Sequence, residues 1–255
     1  MNQAMELAVI FSERNECTRK NPVKVEVGEG EHVIIGGKFL AISCDHITIA
    51  GKGKGKTTCL GGFGVNGKQN VKIQQLSASN IAGHGLSCAN GATVDVTECC
   101  FKSCRGDGMF VYGGATVTAT RCDFMKNGEC GMAVGSGATV TATRCDFMEN
   151  GHYGVDCVCA NTKVRLNDST MHHNGVDGLH AFDHAVMDLH GTKTDIHSNK
   201  ECGIVAIKNA KVNIHLPSQH NTSHDNVRNR DRLQMNGGSI ANINADGTFT
   251  HVGEV

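Results

Sequence analysis

The sequence predicts an all-β chain, wound as a single-stranded right-handed parallel β-helix of about eight to nine coils of 23–25 residues. The first supporting observation is a near-perfect repeat, since residues 114–128 and 137–151 differ only at Lys126 and Glu149. The second is a glycine that returns once in every unit, and the third is a local period of two within the units. Fixed periods of this length are typical of stacked repeats.

The repeated glycine sets the frame of each unit. It stands at Gly85, Gly108, Gly131, Gly154, Gly178 and Gly203. In the segment 115–120, small or apolar residues alternate with threonine, which is the pattern of a half-buried strand. One such unit is too small to bury its own apolar face, so the units must stack to make a core. Crossovers between parallel strands are nearly always right-handed, and this sets the predicted hand.

Both ends of the solenoid are expected to carry caps, because an exposed last coil is a bare sheet edge. Residues 1–20 have apolar side chains at helical spacing and predict a short capping helix. Residues 21–217 form the predicted β-helix, and residues 218–255 form a C-terminal cap. Within that cap, Ser239–Val252 predicts a closing hairpin around an Asp246-Gly247 turn. No Pro- or Ser-rich linker divides the chain, so a single domain is expected.

These stacked glycine columns, ATVTAT segments and asparagine turns resemble right-handed β-helix repeat proteins of the pectin-lyase-like superfamily. The segment from Asp183 to Val252, with HAVMDLHGTKTDIHSNK and GGSIANINADGTFTHV, resembles uncharacterised β-helix proteins of marine algae and other protists. Related repeats occur in large DNA viruses. The resemblance covers residues 21–252 and implies the fold. It leaves the activity open, because the superfamily includes polysaccharide lyases, hydrolases, epimerases, phage tailspikes and proteins without catalysis.

Composition limits the partners. The net charge is −1, which favours neither nucleic acid nor an anionic membrane as a partner. No apolar run approaches the length of a membrane span, and the N-terminus lacks the basic region of a signal peptide. An intracellular location is therefore expected, with a virion as an alternative. A glycan or a protein remains as the expected partner, and the oligomeric state is left open.

Two repeat columns predict structural roles. Cys99, Cys122 and Cys145 share one inward offset, and we expect buried free thiols that act as small apolar side chains. The thirteen cysteines of the chain suit a reducing compartment, with disulfides as the alternative. A second column, at the Asn-Gly turns, predicts a ladder of side-chain amides that bond from coil to coil. Its members are Asn127, Asn150, Asn174 and Asn199.

Arginine and aspartate recur on one outward face and make it a candidate substrate-binding surface. Arg121 and Asp123 lie in one unit, and Arg144 and Asp146 occupy the same offsets in the next. Carboxylates that bind Ca²⁺ would acidify the α-proton of an acidic sugar, as β-elimination requires. The alternative is a grid of surface ion pairs, which the duplication of the unit favours.

Later histidines and aspartates supply the candidate catalytic residues. These are Asp156, Asp177, His180 and His197. By offset, Asp156 and His180 share one outward column, so they lie on neighbouring coils. A His/Asp pair in such a place can act as acid and base or bind Zn²⁺. A solvated histidine-rich face is the alternative, because no recognised metal-ligand spacing is present.

The sequence thus favours a non-catalytic β-helix that serves as a structural or binding scaffold and needs no cofactor. Trp is absent and Tyr occurs only twice, whereas sugar rings usually stack on aromatic faces. On this basis we expect no turnover of pectate, alginate or neutral glucans. The alternative is a carbohydrate-active enzyme, a lyase, hydrolase or epimerase, that acts on an acidic glycan along one face. Only this alternative calls for Ca²⁺ or Zn²⁺.

Overall fold

The computed structural model describes residues 22–34, 39–216, 222–228, 230–243 and 248–251, and its regular elements are all strands. They form three sheets of 11, 9 and 9 strands, which we number 1, 2 and 3. Each coil adds one strand to each sheet before the next coil begins, so every sheet takes every third strand. The predicted right-handed parallel β-helix is confirmed, as is its size of eight to nine coils.

The strands divide among the sheets as follows. Sheet 1 contains β1 (Val23–Glu26), β4 (Ile47–Ala50), β7 (Val71–Gln74), β10 (Thr93–Thr97), β13 (Thr116–Thr120), β16 (Thr139–Thr143), β19 (Lys163–Asn167), β22 (Val186–His190), β25 (Lys211–Ile214), β28 (Ser239–Ile243) and β29 (Phe249–His251). Sheet 2 contains β2 (Gly30–Val33), β5 (Thr57–Leu60), β8 (Ser77–Ser79), β11 (Cys100–Lys102), β14 (Asp123–Met125), β17 (Asp146–Met148), β20 (Thr170–His172), β23 (Asp195–His197) and β26 (Ser223–His224). Sheet 3 contains β3 (Phe39–Ile42), β6 (Gly62–Asn66), β9 (Leu86–Ala89), β12 (Met109–Val111), β15 (Met132–Val134), β18 (Val155–Val158), β21 (Leu179–Phe182), β24 (Cys202–Ile207) and β27 (Arg230–Met235).

The register of these strands puts equal repeat offsets in the same column. Val117 pairs with Val94 on the preceding coil and with Val140 on the following one. Within β13, Val117 and Ala119 point inward and are buried, whereas Thr118 is exposed. The period of two in the sequence is therefore the alternation between the interior and the outer surface of the solenoid.

The two ends differ from the regular coils. Strands β26, β27 and β28 continue the three sheets beyond residue 217. Strand β29 then pairs antiparallel with β28, which confirms the closing hairpin. The predicted turn at Asp246-Gly247 and the predicted capping helix over residues 1–20 lie outside the described residues. Among those described, no helix has the length and apolarity to cross a membrane.

Stacked side chains of one kind fill the interior. Phe124 stacks on Phe101 at 5.5 Å and on Phe147 at 4.9 Å between ring centroids. The cysteine column is buried as predicted. Its Sγ–H groups donate to backbone carbonyls, as from Cys122 to Val96 at 3.6 Å. All twelve described cysteines are free thiols.

The asparagine ladder is formed as predicted and extends one coil further. Each Nδ2 donates to Oδ1 of the next asparagine at 2.9–3.0 Å. The members are Asn127, Asn150, Asn174, Asn199 and Asn226. The ladder also explains the repeated glycine. A Cβ at Gly131 would lie 2.9 Å from Nδ2 of Asn150 and 2.7 Å from the carbonyl oxygen of Gly154. No side chain fits there.

Candidate functional site

The outer surface of sheet 3, near the middle of the solenoid, carries aromatic, aspartate and histidine side chains close together. Phe110, Ala133, Asp156 and His180 stand in register on successive coils, in β12, β15, β18 and β21. Each lies two positions after the repeated glycine of its coil, where a side chain points outward. We call this column, with its neighbours Tyr153, Asp177 and Phe182, the sheet-3 face.

Asp156 and His180 form a hydrogen-bonded pair between neighbouring coils, as their common column predicted. The Nδ1 atom of His180 lies 2.8 Å from Oδ1 of Asp156, and both side chains are largely buried. The carboxylate is an acceptor only, so the hydrogen bond places the proton of a neutral imidazole on Nδ1. This assignment leaves the lone pair of Nε2 available to accept a proton.

Tyr153 lies against His180, the second member of this pair. Its ring is stacked on the imidazole of His180, with the centroids 4.5 Å apart and the planes 9° from parallel. Burial, together with the nearby carboxylates of Asp177 and Asp156, raises the pKa of Tyr153 to about 12. The phenol is therefore protonated at neutral pH and is a proton donor.

Asp177 is the most enclosed member of the site. It lies between Tyr153 and Cys202 in the column of residues that precede the repeated glycines. Its Oδ1 accepts a hydrogen bond from the backbone N–H of Cys202 at 2.8 Å. Burial raises the pKa of Asp177, although that hydrogen bond and the charge of His180 act against the shift. Carboxyl groups with displaced pKa values beside a His/Asp pair are typical of functional sites.

Aromatic rings flank the acid–base residues on both sides. Phe182 lies 6.0 Å from His180 between centroids, and Nζ of Lys208 lies 5.0 Å above the Phe182 ring. Three coils before Phe182, Phe110 stacks on Tyr112 at 4.8 Å and on His84 at 5.0 Å. Both tyrosines of the chain thus lie on this surface, so the low tyrosine count did not indicate a lack of aromatic platforms.

Two coils lie between these aromatic groups. The first carries Ala133 and Gly135 at the outward offsets where the preceding coil has Phe110 and Tyr112. The second carries Asp156 and Val158 at the same offsets. The outward side chains are therefore small on the coil that precedes Asp156.

His197, the fourth candidate catalytic residue, lies elsewhere. It belongs to β23 of sheet 2, where its ring is stacked between His172 at 5.1 Å and His224 at 5.4 Å. We call these three residues the histidine ladder. Asp146 contacts Nε2 of His172 at 3.1 Å, and Asp195 contacts Nε2 of His224 at 3.0 Å. The proposed grouping of Asp156, Asp177 and His180 with His197 is therefore split between two sheets.

The Arg/Asp surface does not form the expected grid of ion pairs. Arg121 lies in a turn and pairs with Glu98 at 2.7 Å, while Asp123 pairs with Lys54 at 2.5 Å. Arg144 forms no ion pair in the part of the chain that the structure describes. Equal offsets did not lead to equal partners here, because Glu98 stands one coil before Arg121, whereas Arg121 itself stands one coil before Arg144. The acidic residue that Arg121 contacts precedes it by one coil, where the sequence repeat is imperfect.

Metal ligation has no obvious centre. Within the described ranges, no group of three or more His, Cys, Asp or Glu side chains is arranged to hold a metal ion.

Sequence reasoning missed Tyr153 and Phe182, which enclose His180. The signal for Phe182 was available, since it lies two positions after His180 in the same outward series. No sequence signal indicated Tyr153, because its repeat column holds Asp, Cys and Tyr without a pattern.

Comparisons with known proteins agree with this architecture. No curated protein matches the sequence. Among solved structures, the A-module of the mannuronan C-5 epimerase AlgE4 from Azotobacter vinelandii has 15% identity and a TM-score of 0.64, covering 97% of this chain and 79% of that one. ORF18 of Geobacillus virus E2 has 11% identity and a TM-score of 0.52, covering 87% of this chain and 53% of that one. Pectate lyase Pel9A has 14% identity and a TM-score of 0.51, covering 83% and 67%.

At these identities the structural likeness shows the fold alone. The family is shown by the sequence itself. Residues 61–227 match the family described as "Right handed beta helix region", which is well over half of the chain. Together with the three stacked parallel sheets, this match shows that the chain belongs to the right-handed β-helix family.

Proposed function

We propose that the sheet-3 face binds an acidic polysaccharide and exchanges protons with one of its uronate residues. The observation that carries this proposal is the Tyr153 ring stacked at 4.5 Å on His180, which Asp156 holds at 2.8 Å. The proposal takes up the carbohydrate-active alternative of the sequence analysis. A proton donor and a proton acceptor stand side by side on an open, aromatic surface, and a purely structural coil needs neither.

The chemistry of a uronate suits these two groups. Its C-5 hydrogen is α to a carboxylate, so a positioned base can remove it, and general acid–base catalysis of this kind contributes about 10²–10⁴-fold. His180 is suited to be the base, because Asp156 occupies Nδ1 and leaves Nε2 free. Tyr153 is suited to be the acid, because its phenol carries a proton at neutral pH and its ring lies against the base.

The surroundings of the pair fit a polymeric anion. Phe182 and the Phe110–Tyr112 stack offer flat apolar surfaces to sugar rings, on either side of the two coils that carry Ala133 and Asp156. Lys208, whose Nζ lies over the Phe182 ring, supplies a positive charge for a uronate carboxylate. The names of two structural neighbours, a mannuronan C-5 epimerase and a pectate lyase, refer to acidic polysaccharides of this class.

Turnover of a panel of polyuronates tests the proposal. Purified protein is incubated with mannuronan, glucuronan, guluronan and galacturonan, and products are followed by ultraviolet absorbance of unsaturated uronates and by NMR. We expect product with the wild type and with His172→Ala, and at least about a 100-fold loss with His180→Ala. His172 is a matched control, since it is a half-buried histidine paired with an aspartate on sheet 2. No product from any polymer, or equal rates for both variants, would contradict the proposal.

A non-catalytic scaffold is the second candidate function. The near-identical units 114–128 and 137–151 favour it, because they present the same outward side chains twice in register. A repeated surface suits a repetitive partner such as a polymer or another rod. Binding of the same polyuronates without chemical change, with an affinity unaffected by His180→Ala, would support this candidate instead.

A further inference from the structure

The acid and the base of the sheet-3 face approach a bound sugar from one side. Tyr153 and His180 project from the same outer surface, and their rings are only 9° from parallel at 4.5 Å. A sugar that lies on this surface therefore meets both groups on the same side of its ring. Asp156 projects from sheet 3 beside them, whereas Asp177 lies in the turn before β21, where its carboxylate is bonded to the backbone N–H of Cys202.

This placement discriminates between the two fates of a uronate that has lost its C-5 hydrogen. Inversion at C-5 requires a proton donor on the far side of the ring from the base. Elimination requires a donor near O-4, the oxygen that leaves. When acid and base share one side, elimination proceeds directly only if the C-5 hydrogen and O-4 also lie on one side of the ring.

We propose, resting on the proposed function, that this face catalyses syn β-elimination of 4-linked uronates whose C-5 hydrogen and O-4 are on the same side. Mannuronate and glucuronate have this configuration. Galacturonate and guluronate have the two groups on opposite sides, so the stacked pair cannot serve both at once. The stacked contact between Tyr153 and His180 therefore sets which uronates can be substrates.

The elimination balances without any co-reactant. Nε2 of His180 takes the C-5 hydrogen as a proton, and the C–H electron pair becomes the double bond between C-4 and C-5. The bond from C-4 to O-4 breaks, and O-4 takes the phenol proton of Tyr153 as the chain is cut. The proton on His180 then passes to the Tyr153 phenolate across the stacked pair, which restores both groups. Asp156 acts as a positioning residue, since its Oδ1 lies 2.8 Å from Nδ1 of His180 and orients the imidazole.

Lys208 is the cation placed to receive the sugar carboxylate. Its Nζ lies 5.0 Å from the Phe182 ring centroid, and Phe182 lies 6.0 Å from His180. Its nearest carboxylate is Asp183, at 3.8 Å, a distance that leaves the ammonium largely free to turn towards a ligand. We expect Lys208→Ala to raise KM more than it lowers kcat, because charge neutralisation first serves binding.

Initial rates on four defined polymers test the stereochemical inference. We expect unsaturated product from mannuronan and glucuronan at rates at least tenfold above those from galacturonan and guluronan. Tyr153→Phe should abolish cleavage while His172→Ala retains it. Equal or faster cleavage of galacturonan or guluronan would overturn the inference and leave the proposed function standing. Saturated products inverted at C-5, without unsaturated ones, would overturn elimination alone. No reaction with any of the four would instead remove the proposed function on which the inference rests.

Discussion

Tyr153 and His180 meet diagonally, from one repeat column to the next. Tyr153 precedes the repeated glycine of its coil by one residue, whereas His180 follows the glycine of the next coil by two. Their rings nevertheless stack at 4.5 Å, because adjacent coils lie about as far apart as two stacked rings. This contact joins a proton donor to a base that Asp156 already holds.

The first prediction concerns the phenol itself. Tyr153→Phe keeps the stacked ring and removes only the hydroxyl, so the fold and its thermal midpoint should be retained. We expect kcat on the best polyuronate to fall by about 10²-fold or more, since one positioned acid contributes that much. Initial rates measure this effect, with His172→Gln as the control. A Tyr153→Phe rate within twofold of the wild type would show that the hydroxyl is not the acid.

A second prediction concerns the asparagine ladder. Oδ1 of Asn150 accepts from the backbone N–H and from Nδ2 of Asn127, both in the interior. Asn150→Ala leaves the backbone N–H of Asn127 without its partner and removes one of the two hydrogen bonds of Nδ2, which should lower the free energy of unfolding by about 2–4 kcal/mol. Asn213→Ala, which removes an outer-surface amide bonded to Asp188, should cost about 1 kcal/mol or less. Urea denaturation measures both, and equal losses would refute the special role of the ladder.

The histidine ladder predicts in which direction the stability of the fold changes with pH. The pKa of His172 is raised, chiefly by its hydrogen bond to Asp146. A raised histidine pKa stabilises the fold below pH about 6.5, and this contribution is lost as pH rises through the folded-state value. A half-exposed pair of this kind is worth about 1 kcal/mol or less because solvent screens it. His172→Ala should therefore lower the thermal midpoint by up to about 2–4 °C more at pH about 5.5 than at pH about 8.5.

His197 supplies the control for that prediction, because its pKa is shifted in the opposite direction. Burial lowers the pKa of His197, and the flanking His172 and His224 lower it further. A histidine of this kind opposes folding as pH falls below about 6.5. His197→Ala should thus cost less stability at low pH than at high pH. If both variants showed the same trend with pH, the electrostatic account of the ladder would fail.

The thiols give a prediction that does not depend on function. Cys99, Cys122 and Cys145 are at most 2% exposed, and burial raises the pKa of Cys99. Alkylation of the native protein should leave these three unmodified and should reach Cys159, which is half-exposed. After unfolding, all should react. Peptide mapping by mass spectrometry identifies the labelled sites, and rapid native labelling of the column would contradict the buried arrangement.

Much of the fold follows from the repeat, because equal offsets must occupy equal places in a stacked solenoid. The cysteine column, the asparagine ladder and the Asp156–His180 pair were all predictable in this way. Contacts that cross columns were not, since the period carries no information about them. The stack of Tyr153 on His180 is one example, and the choice of Glu98 by Arg121 is another.

The sequence also failed to predict which of the three sheets carries a given outward residue. The sequence assigned His197 to the same face as His180, although the turns that carry the asparagine ladder separate sheet 2 from sheet 3 on every coil. An outward offset shows that a side chain faces solvent, but not which of three sheets carries it. The turn positions that divide the sheets were visible in the repeat only where an Asn-Gly pair marked them.

Proton NMR of mannuronan incubated in deuterated water tests the central claim most directly. The account predicts an olefinic signal from C-4 of new unsaturated ends, with no deuterium at C-5 of the remaining saturated residues. His180→Ala should give no olefinic signal, and His172→Ala should match the wild type. A spectrum that stays unchanged with the folded wild-type protein would contradict the claim and leave the sheet-3 face as a binding surface without chemistry.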